Sequence, residues 1–281
     1  MGKFCDLHTH SIYSDGTYTP DEIINEALKL DLSAIALTDH NTVDGLTEFI
    51  SSARGKNIDV VPGAEFSVDY NGVELHILGL FIDPEHFDKV SDLMASVNKR
   101  KEESNIDLIE SLRSIGFDLD YSAIKAATPN GKFNRAHIAA AMVEKGYISS
   151  IKEGFETVLS KNAGYYKEPQ RLTAQEIVDF ISSVGAVSVL AHPFLNLNKS
   201  ELVEFLSTIK GLDGMECYYS AYDETTVNKS IRIANEFGLA CGGGSDFHGA
   251  TKPDIKVGVG KGDLKVPVES FWSLSDIKNE R

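Results

Sequence analysis

The chain has 281 residues, 42% hydrophobic and 25% charged, the balance of an ordinary folded globular protein. Its three cysteines, Cys5, Cys217 and Cys241, are odd in number, far apart and set in apolar runs, which argues against a disulfide scaffold and predicts buried free thiols in a reducing compartment. With 27 Lys+Arg against 42 Asp+Glu the net charge is −15, which opposes non-specific attraction to nucleic acid or anionic membrane, so an anionic substrate needs local cations or metal to hold it. No run approaches the ~20 apolar residues of a membrane span, and the start MGKFCDLHTH lacks the basic and apolar regions of a signal peptide, so a cytoplasmic location is expected.

Residues 4–7 read as a short strand. Thr19-Pro20-Asp21-Glu22 then opens a helix to residue 29, with a capping hydroxyl, Pro at the first helical position and acidic residues in the first turn. Strand 32–38 (LSAIALT), helix 43–54, strand 58–65 (IDVVPGAE) and strand 74–81 (ELHILGLF) follow. From 86 to 170 only helical periodicity is present, broken at Gly116, Pro129-Asn130-Gly131, Gly146 and Gly164, which predicts an insertion of at least three helices. Alternation resumes with helix 174–184, strand 186–191, helix 199–209, strand 214–218, helix 223–237 and strand 239–243. Such alternation predicts an α/β fold with a parallel sheet covered by helices, and the number of strands fits a barrel with an insertion better than a small open sheet. The expected domains are a barrel of residues 1–84 and 171–281, and a helical insertion of residues 85–170 capping its active site.

Six of the eight histidines fall in or just after predicted strands, most beside carboxylates: His8, His10, His40, His76, His192 and His248. In a parallel sheet or barrel the C-terminal strand ends share one face, so these side chains would meet. His8 and His10, at i and i+2, point to one side of an extended strand and can grip one ion; Asp246-Phe247-His248 repeats the arrangement after another strand. Asp15, in a Ser-Asp-Gly turn, reads equally as a turn former. Asp39, adjacent to His40, would face the other way and hydrogen-bond backbone or a ligand. Glu65 has no nearby basic residue; buried alone it would be costly, whereas its two oxygens can bridge two ions. His76 lies inside an apolar strand, where a satisfied core histidine fits as well, and His86 reads as a surface residue.

On the motifs His8-Thr9-His10, Ser14-Asp15-Gly16, Thr38-Asp39-His40, Glu65, His76, Ala191-His192-Pro193 and Ser245-Asp246-Phe247-His248, the sequence resembles the PHP (polymerase and histidinol phosphatase) superfamily of metal-dependent phosphoesterases. LTDHNTVDG, ELHILGLFID, FNRAHIAAAMVEKGY and AGYYKEP resemble its stand-alone bacterial branch, some members of which hydrolyse nucleoside 3′,5′-bisphosphates or trim RNA from the 5′ end. The resemblance implies a distorted (β/α)7 TIM-like barrel and a site for two to three divalent ions, manganese preferred, with iron and zinc suited to the same donors. It implies that His8, His10, Glu65 and Asp246 hold one ion, that Glu65 bridges to a second held with His76 and His192, and that Asp15, His40 and His248 hold a third. His8, His10, Glu65, His192 and Asp246 are then the catalytic set.

Two ions ~3.5–4 Å apart can share a hydroxide that attacks phosphorus while they neutralise the phosphate oxygens. No G-x-S-x-G elbow or P-loop offers another nucleophile, and Gly242-Gly243-Gly244 reads as close backbone approach rather than a phosphate loop. Asn134-Arg135-Ala136-His137 opens a predicted helix with Asn134 as its cap. The helix dipole disfavours a cation in a first turn, so Arg135 suggests an answering anion, with His137 and Lys167 as further substrate contacts. The expected substrate is a small nucleotide or a single-stranded oligonucleotide end, without duplex reading or membrane binding. A metabolite phosphatase such as one for histidinol phosphate, and a non-catalytic metal-stabilised scaffold, are the competing readings, with C–N bond hydrolysis a more distant one.

Overall fold

The computed structural model describes residues 3–128, 133, 135–169 and 171–281. The chain divides into two compact units, Met1–Asp92 with Leu172–Arg281, and Leu93–Arg171. Among the described residues the helices are α1 (Pro20–Lys29), α2 (Leu46–Ser52), α3 (Phe87–Ser114), α4 (Tyr121–Ala126), α5 (Arg135–Glu144), α6 (Ile151–Glu156), α7 (Ala174–Ser183), α8 (Lys199–Thr208), α9 (Glu224–Phe237) and α10 (Val268–Asn279). None is long and apolar enough to cross a membrane.

In the first unit, β1 (Phe4–Asp6), β2 (Ala34–Leu37), β3 (Asp59–Tyr70), β4 (Val73–Leu80), β5 (Val187–Leu190), β6 (Gly214–Tyr219) and β7 (Ala240–Gly244) form one sheet, ordered β7-β6-β5-β4-β3-β2-β1. Its edges meet. Leu7 N donates to Gly243 O at 3.1 Å, Asp246 N to His8 O at 2.8 Å and His10 N to Phe247 O at 2.9 Å, so the chain leaving β1 runs beside the chain leaving β7 and the sheet curls into a nearly closed barrel. A further strand, β8 (Val266–Pro267), lies antiparallel on the start of β1, pairing Cys5 with Val266. Two residues, one of them Pro, carry no period-2 signal, which is why the sequence reading holds seven strands and not eight.

The expectation of a parallel sheet is corrected at β4, which is antiparallel to both β3 and β5. Only Asn71-Gly72 joins β3 to β4, with φ of 52° and 81°, the doubly positive geometry of a tight hairpin. A parallel crossover needs about a dozen residues or more, so this link forces the reversal. Because β4 runs backwards, its beginning lies level with the upper ends of the parallel strands, and His76 sits opposite Ser67 rather than far down the wall.

Helices cover the barrel where their caps and apolar faces dictate. Thr19 caps α1 and Thr173 caps α7, each in a reciprocal box with the glutamate three residues on, Glu22 and Glu176. Asn198 and Glu201 do the same for α8. Ile177, Val178 and Ile181 of α7 are buried in the unit. Alternate residues of four strands, Cys5 and Leu7, Ala34 and Ala36, Leu78 and Leu80, Val187 and Val189, share one buried cluster with Leu274 of α10. Each large side chain buried there contributes about 1.5–3 kcal/mol. Cys5 and Cys217 are buried free thiols as expected, but Cys241, near the start of β7, is only half-buried.

The second unit is helical. It contains most of α3, with α4, α5 and α6, and no strand among its described residues. Leu108 and Leu112 of α3 pack with Ile124, Phe133, Ile138, Met142 and Leu159 into a core of their own. Asp120 and Ser150 cap α4 and α6.

Candidate metal centre

The site grows from the barrel seam. At the end of β1 the alternation of an extended chain turns Thr9 toward β2, where its hydroxyl donates to Ala36 O at 2.5 Å, and leaves His8 and His10 on the other side. Asp6, fully buried, accepts from Ser245 N at 2.8 Å and Gly258 N at 2.7 Å, and so fastens β1 to the loops after β7. The run Gly242-Gly243-Gly244 is close backbone approach: a Cβ on Gly244 would lie 2.4 Å from His8 Cβ.

Glu65, in β3 and wholly buried, is the centre of the arrangement. Its Oε1 lies 2.7 Å from His76 Nδ1 and 3.0 Å from His192 Nε2. Its Oε2 lies 3.0 Å from His40 Nδ1, 3.2 Å from His10 Nε2 and 3.3 Å from His8 Nε2. Burial alone would raise the Glu65 pKa, but the charges of His8, His76 and His40 outweigh it and hold the carboxyl well below its usual range. Burial likewise opposes ionisation of Asp246 and Asp15, and neighbouring imidazoles, chiefly His10 and His8 for the first and His248 and His40 for the second, hold both low.

Around this centre the other candidates fall into overlapping groups. His10, Asp15, His40 and His248 form one; His8, His10 and Asp246 a second; His8, Glu65 and His192 a third; His40, Glu65 and His76 a fourth. All nine residues singled out as metal ligands are therefore brought together. His76 and His192, paired by the resemblance, fall in separate groups here, although both face the same oxygen of Glu65. Asp39 turns away from the cluster and accepts from Ser11 N at 2.7 Å, Ser11 Oγ at 2.6 Å and Ser14 Oγ at 2.5 Å, which shapes the loop that presents Asp15.

The donor set fits divalent ions. His8 Nε2 and His10 Nε2 face each other at 3.0 Å, so one proton at most lies between them, whereas a cation satisfies both lone pairs. Among the described residues, three imidazole nitrogens crowd Glu65 Oε2 within 3.3 Å, yet none is aligned to hydrogen-bond it, and His10 Nδ1 is likewise buried without a hydrogen bond, a state that is costly unless something else is bound. Imidazole and carboxylate together suit manganese, iron or zinc, and such ions can polarise a phosphate and acidify water.

Several residues around the cluster carry no sequence signal of their own. Glu216, wholly buried in β6, accepts from His192 N at 2.6 Å and lies 3.0 Å from His8 Nδ1. Tyr219 donates to Asp246 Oδ2 at 2.8 Å, and Lys252 Nζ reaches the same oxygen at 2.7 Å. The one clue to Glu216 is a carboxylate inside the apolar run GMECYY, which demands a buried partner.

The proposed substrate contacts lie in the helical unit. Arg135 opens α5, half-buried, with its guanidinium 3.9 Å from the Tyr166 ring centre and 5.3 Å from that of Phe155. Its Nη1 donates to Leu159 O at 3.4 Å. His137 stacks on Phe133 with ring centres 6.4 Å apart, and Lys167 O accepts from the Ser104 hydroxyl. Asn134 lies outside the described residues.

Comparison with known proteins agrees with this chemistry. A family model described as PHP domain matches residues 6–171. The 5′-3′ exoribonuclease Rnm of Escherichia coli (strain K12) is 30% identical over 279 residues, spanning 96% of this chain and 92% of that protein. The 3′,5′-nucleoside bisphosphate phosphatase of Chromobacterium violaceum is 29% identical over 254 residues, 86% of each. A solved structure from Bifidobacterium adolescentis, assigned as a metal-dependent phosphoesterase, matches with a TM-score of 0.74 at 25% identity, covering 99% of this chain and 97% of that one.

Proposed function

The chain belongs to the PHP domain family, and from that premise we propose that it is a metal-dependent phosphoesterase acting on a small nucleotide, such as a nucleoside 3′,5′-bisphosphate, or on the 5′ end of an oligonucleotide. The observation that carries the reading is the gathering of six histidines with Asp15 and Asp246 around the buried carboxylate of Glu65. In this reading His8, His10, Glu65 and Asp246 hold one ion, Glu65 with His76 and His192 a second, and Asp15, His40 and His248 a third. Manganese is the proposed ion and the cytoplasm the proposed location.

Bound there, the ions supply the charge that draws phosphate into an acidic protein and the acidity that makes water a nucleophile near neutral pH. The chain's own residues do the rest. Glu65 turns one oxygen toward His76 and His192 and the other toward His8, His10 and His40, tying the groups together. Tyr219 and Lys252 occupy Asp246 Oδ2 and leave Oδ1 toward His10, at 3.3 Å. Arg135, His137 and Lys167 of the helical unit are the proposed substrate contacts. Stacking on Tyr166 fixes the guanidinium of Arg135 by its face and leaves edge N–H groups for a phosphate.

The test is phosphate release by the Mn2+-loaded protein from a nucleoside 3′,5′-bisphosphate, a 5′-phosphorylated short RNA, histidinol phosphate and an aryl phosphate. Turnover of the bisphosphate or the RNA above the others, with Arg135→Ala raising KM at least tenfold, is the expected result, about 1.4 kcal/mol or more of lost phosphate binding. Equal turnover of all four, or none, would overturn the nucleotide reading.

A further inference from the structure

We propose that Glu216 is a positioning residue that fastens two histidine ligands, His8 and His192, and thereby sets the occupancy of the two ions they hold beside Glu65 but not of the third; the inference rests on the metal reading above. The two contacts are of different kinds. Oε1 lies 3.0 Å from the Nδ1 of the His8 ring, while Oε2 accepts the backbone N–H of His192 at 2.6 Å. Both His8 and His192 belong to the group they form with Glu65. One carboxylate on β6 thus supports a ligand just past β1 and a ligand just past β5.

Each contact meets a need of its own. A carboxylate only accepts, so its contact with Nδ1 keeps the proton of a neutral His8 on Nδ1 and presents the lone pair of Nε2 to the cluster. Nε2 is the nitrogen that lies 3.3 Å from Glu65 Oε2. His192 has φ of 28° and ψ of 53°, a left-handed conformation that a side-chain-bearing residue adopts at a cost, and Pro193 follows it. The short bond to Glu216 holds that conformation and with it the imidazole, whose Nε2 lies 3.0 Å from Glu65 Oε1.

Two N–H donors therefore converge on one side chain with two acceptor oxygens. Gln has the same shape but one acceptor, so in Glu216→Gln either His192 N–H loses its partner or the amide N–H faces Nδ1 and moves the His8 proton to Nε2. The first result loosens a ligand of the ion assigned to Glu65, His76 and His192, the second a ligand of the ion assigned to His8, His10, Glu65 and Asp246. The group of Asp15, His40 and His248 with His10 makes no contact with Glu216 and keeps its ion.

The experiment measures Mn2+ equivalents and affinity by calorimetry on wild type and Glu216→Gln, with the histidine tautomers of the proteins loaded with diamagnetic Zn2+ read by 15N NMR and the melting temperatures of the metal-free proteins by calorimetry. The wild type shows His8 protonated at Nδ1. Glu216→Gln loses that signature or the order of His192, and binds the Mn2+ held by the affected histidine, one or both of the two beside Glu65, about 10–100-fold more weakly while the Mn2+ of Asp15, His40 and His248 binds as before. Glu216→Asp, which keeps the charge but cannot span both contacts, weakens the ion of whichever histidine it no longer reaches and serves if the Gln variant does not fold. Unchanged Mn2+ binding in both variants would overturn the proposal, and so would equal weakening of every ion alongside a lowered metal-free melting temperature. A wild type that takes up no Mn2+ at all would instead remove the metal reading, and this inference with it.

Discussion

Gly244→Ala is a small change at the point where the barrel seam and the metal centre share atoms. The new methyl would sit 2.4 Å from His8 Cβ, 2.5 Å from His8 N and 2.8 Å from His8 Cα, against the 3.4–4 Å of ordinary contact. The chains leaving β1 and β7 must separate by about 1 Å to relieve it. That movement strains the flanking bonds, Leu7 N to Gly243 O at 3.1 Å and Asp246 N to His8 O at 2.8 Å. Overpacking costs about 1–3 kcal/mol and two weakened backbone bonds about 0.5–1.5 kcal/mol each, so the variant should lose about 2–6 kcal/mol. At about 2–4 °C per kcal/mol for a unit of this size, calorimetry of the metal-free protein should show a fall in Tm of about 10 °C. The same shift moves His8 relative to Glu65, and a misplacement of about 1 Å costs roughly 100-fold in turnover of the Mn2+-loaded enzyme. A variant that melts within about 2 °C of wild type and turns over normally would refute the close-approach reading of the glycine run.

Other perturbations separate the parts of the account. Asp6→Ala leaves the Ser245 and Gly258 N–H groups without their acceptor and should destabilise the metal-free protein by about 3 kcal/mol in a denaturant melt, while Asp6→Asn, with one acceptor left, should lose less. Removing the cation beside Asp246 by Lys252→Ala should tighten Mn2+ binding, by no more than about fivefold because the pair is partly exposed; weaker binding in a titration would contradict that sign. Arg135→Ala should leave Mn2+ stoichiometry unchanged while raising KM for the bisphosphate, and a loss of metal would assign Arg135 to the wrong part of the protein.

Much of the fold was legible because its signals are local. Thr19-Pro20 and Thr173 mark helix starts whose capping boxes are present, and strands such as 34–37 are continuous apolar runs. The reversal of β4 was written in Asn71-Gly72, a hairpin signal that strand-helix alternation hides when strands are read one at a time. For the site, strand ends made the histidines visible because one face collects them. His76 escaped that logic, since it lies at the start of an antiparallel strand, level with the others only because β4 runs backwards. Glu216, Tyr219 and Lys252 were not legible: each acts on a ligand from another strand or loop, and no spacing in the sequence records a contact of that kind.

The central claim is that ions held around Glu65 carry phosphoester hydrolysis. The most direct test is turnover of a nucleoside 3′,5′-bisphosphate by wild type stripped with chelator, by wild type reloaded with Mn2+, and by Glu65→Gln, with bound metal counted in each sample. The account predicts activity in the reloaded wild type alone, with Glu65→Gln folded yet depleted of metal. Hydrolysis at the loaded rate by the stripped protein, or by Glu65→Gln, would contradict it.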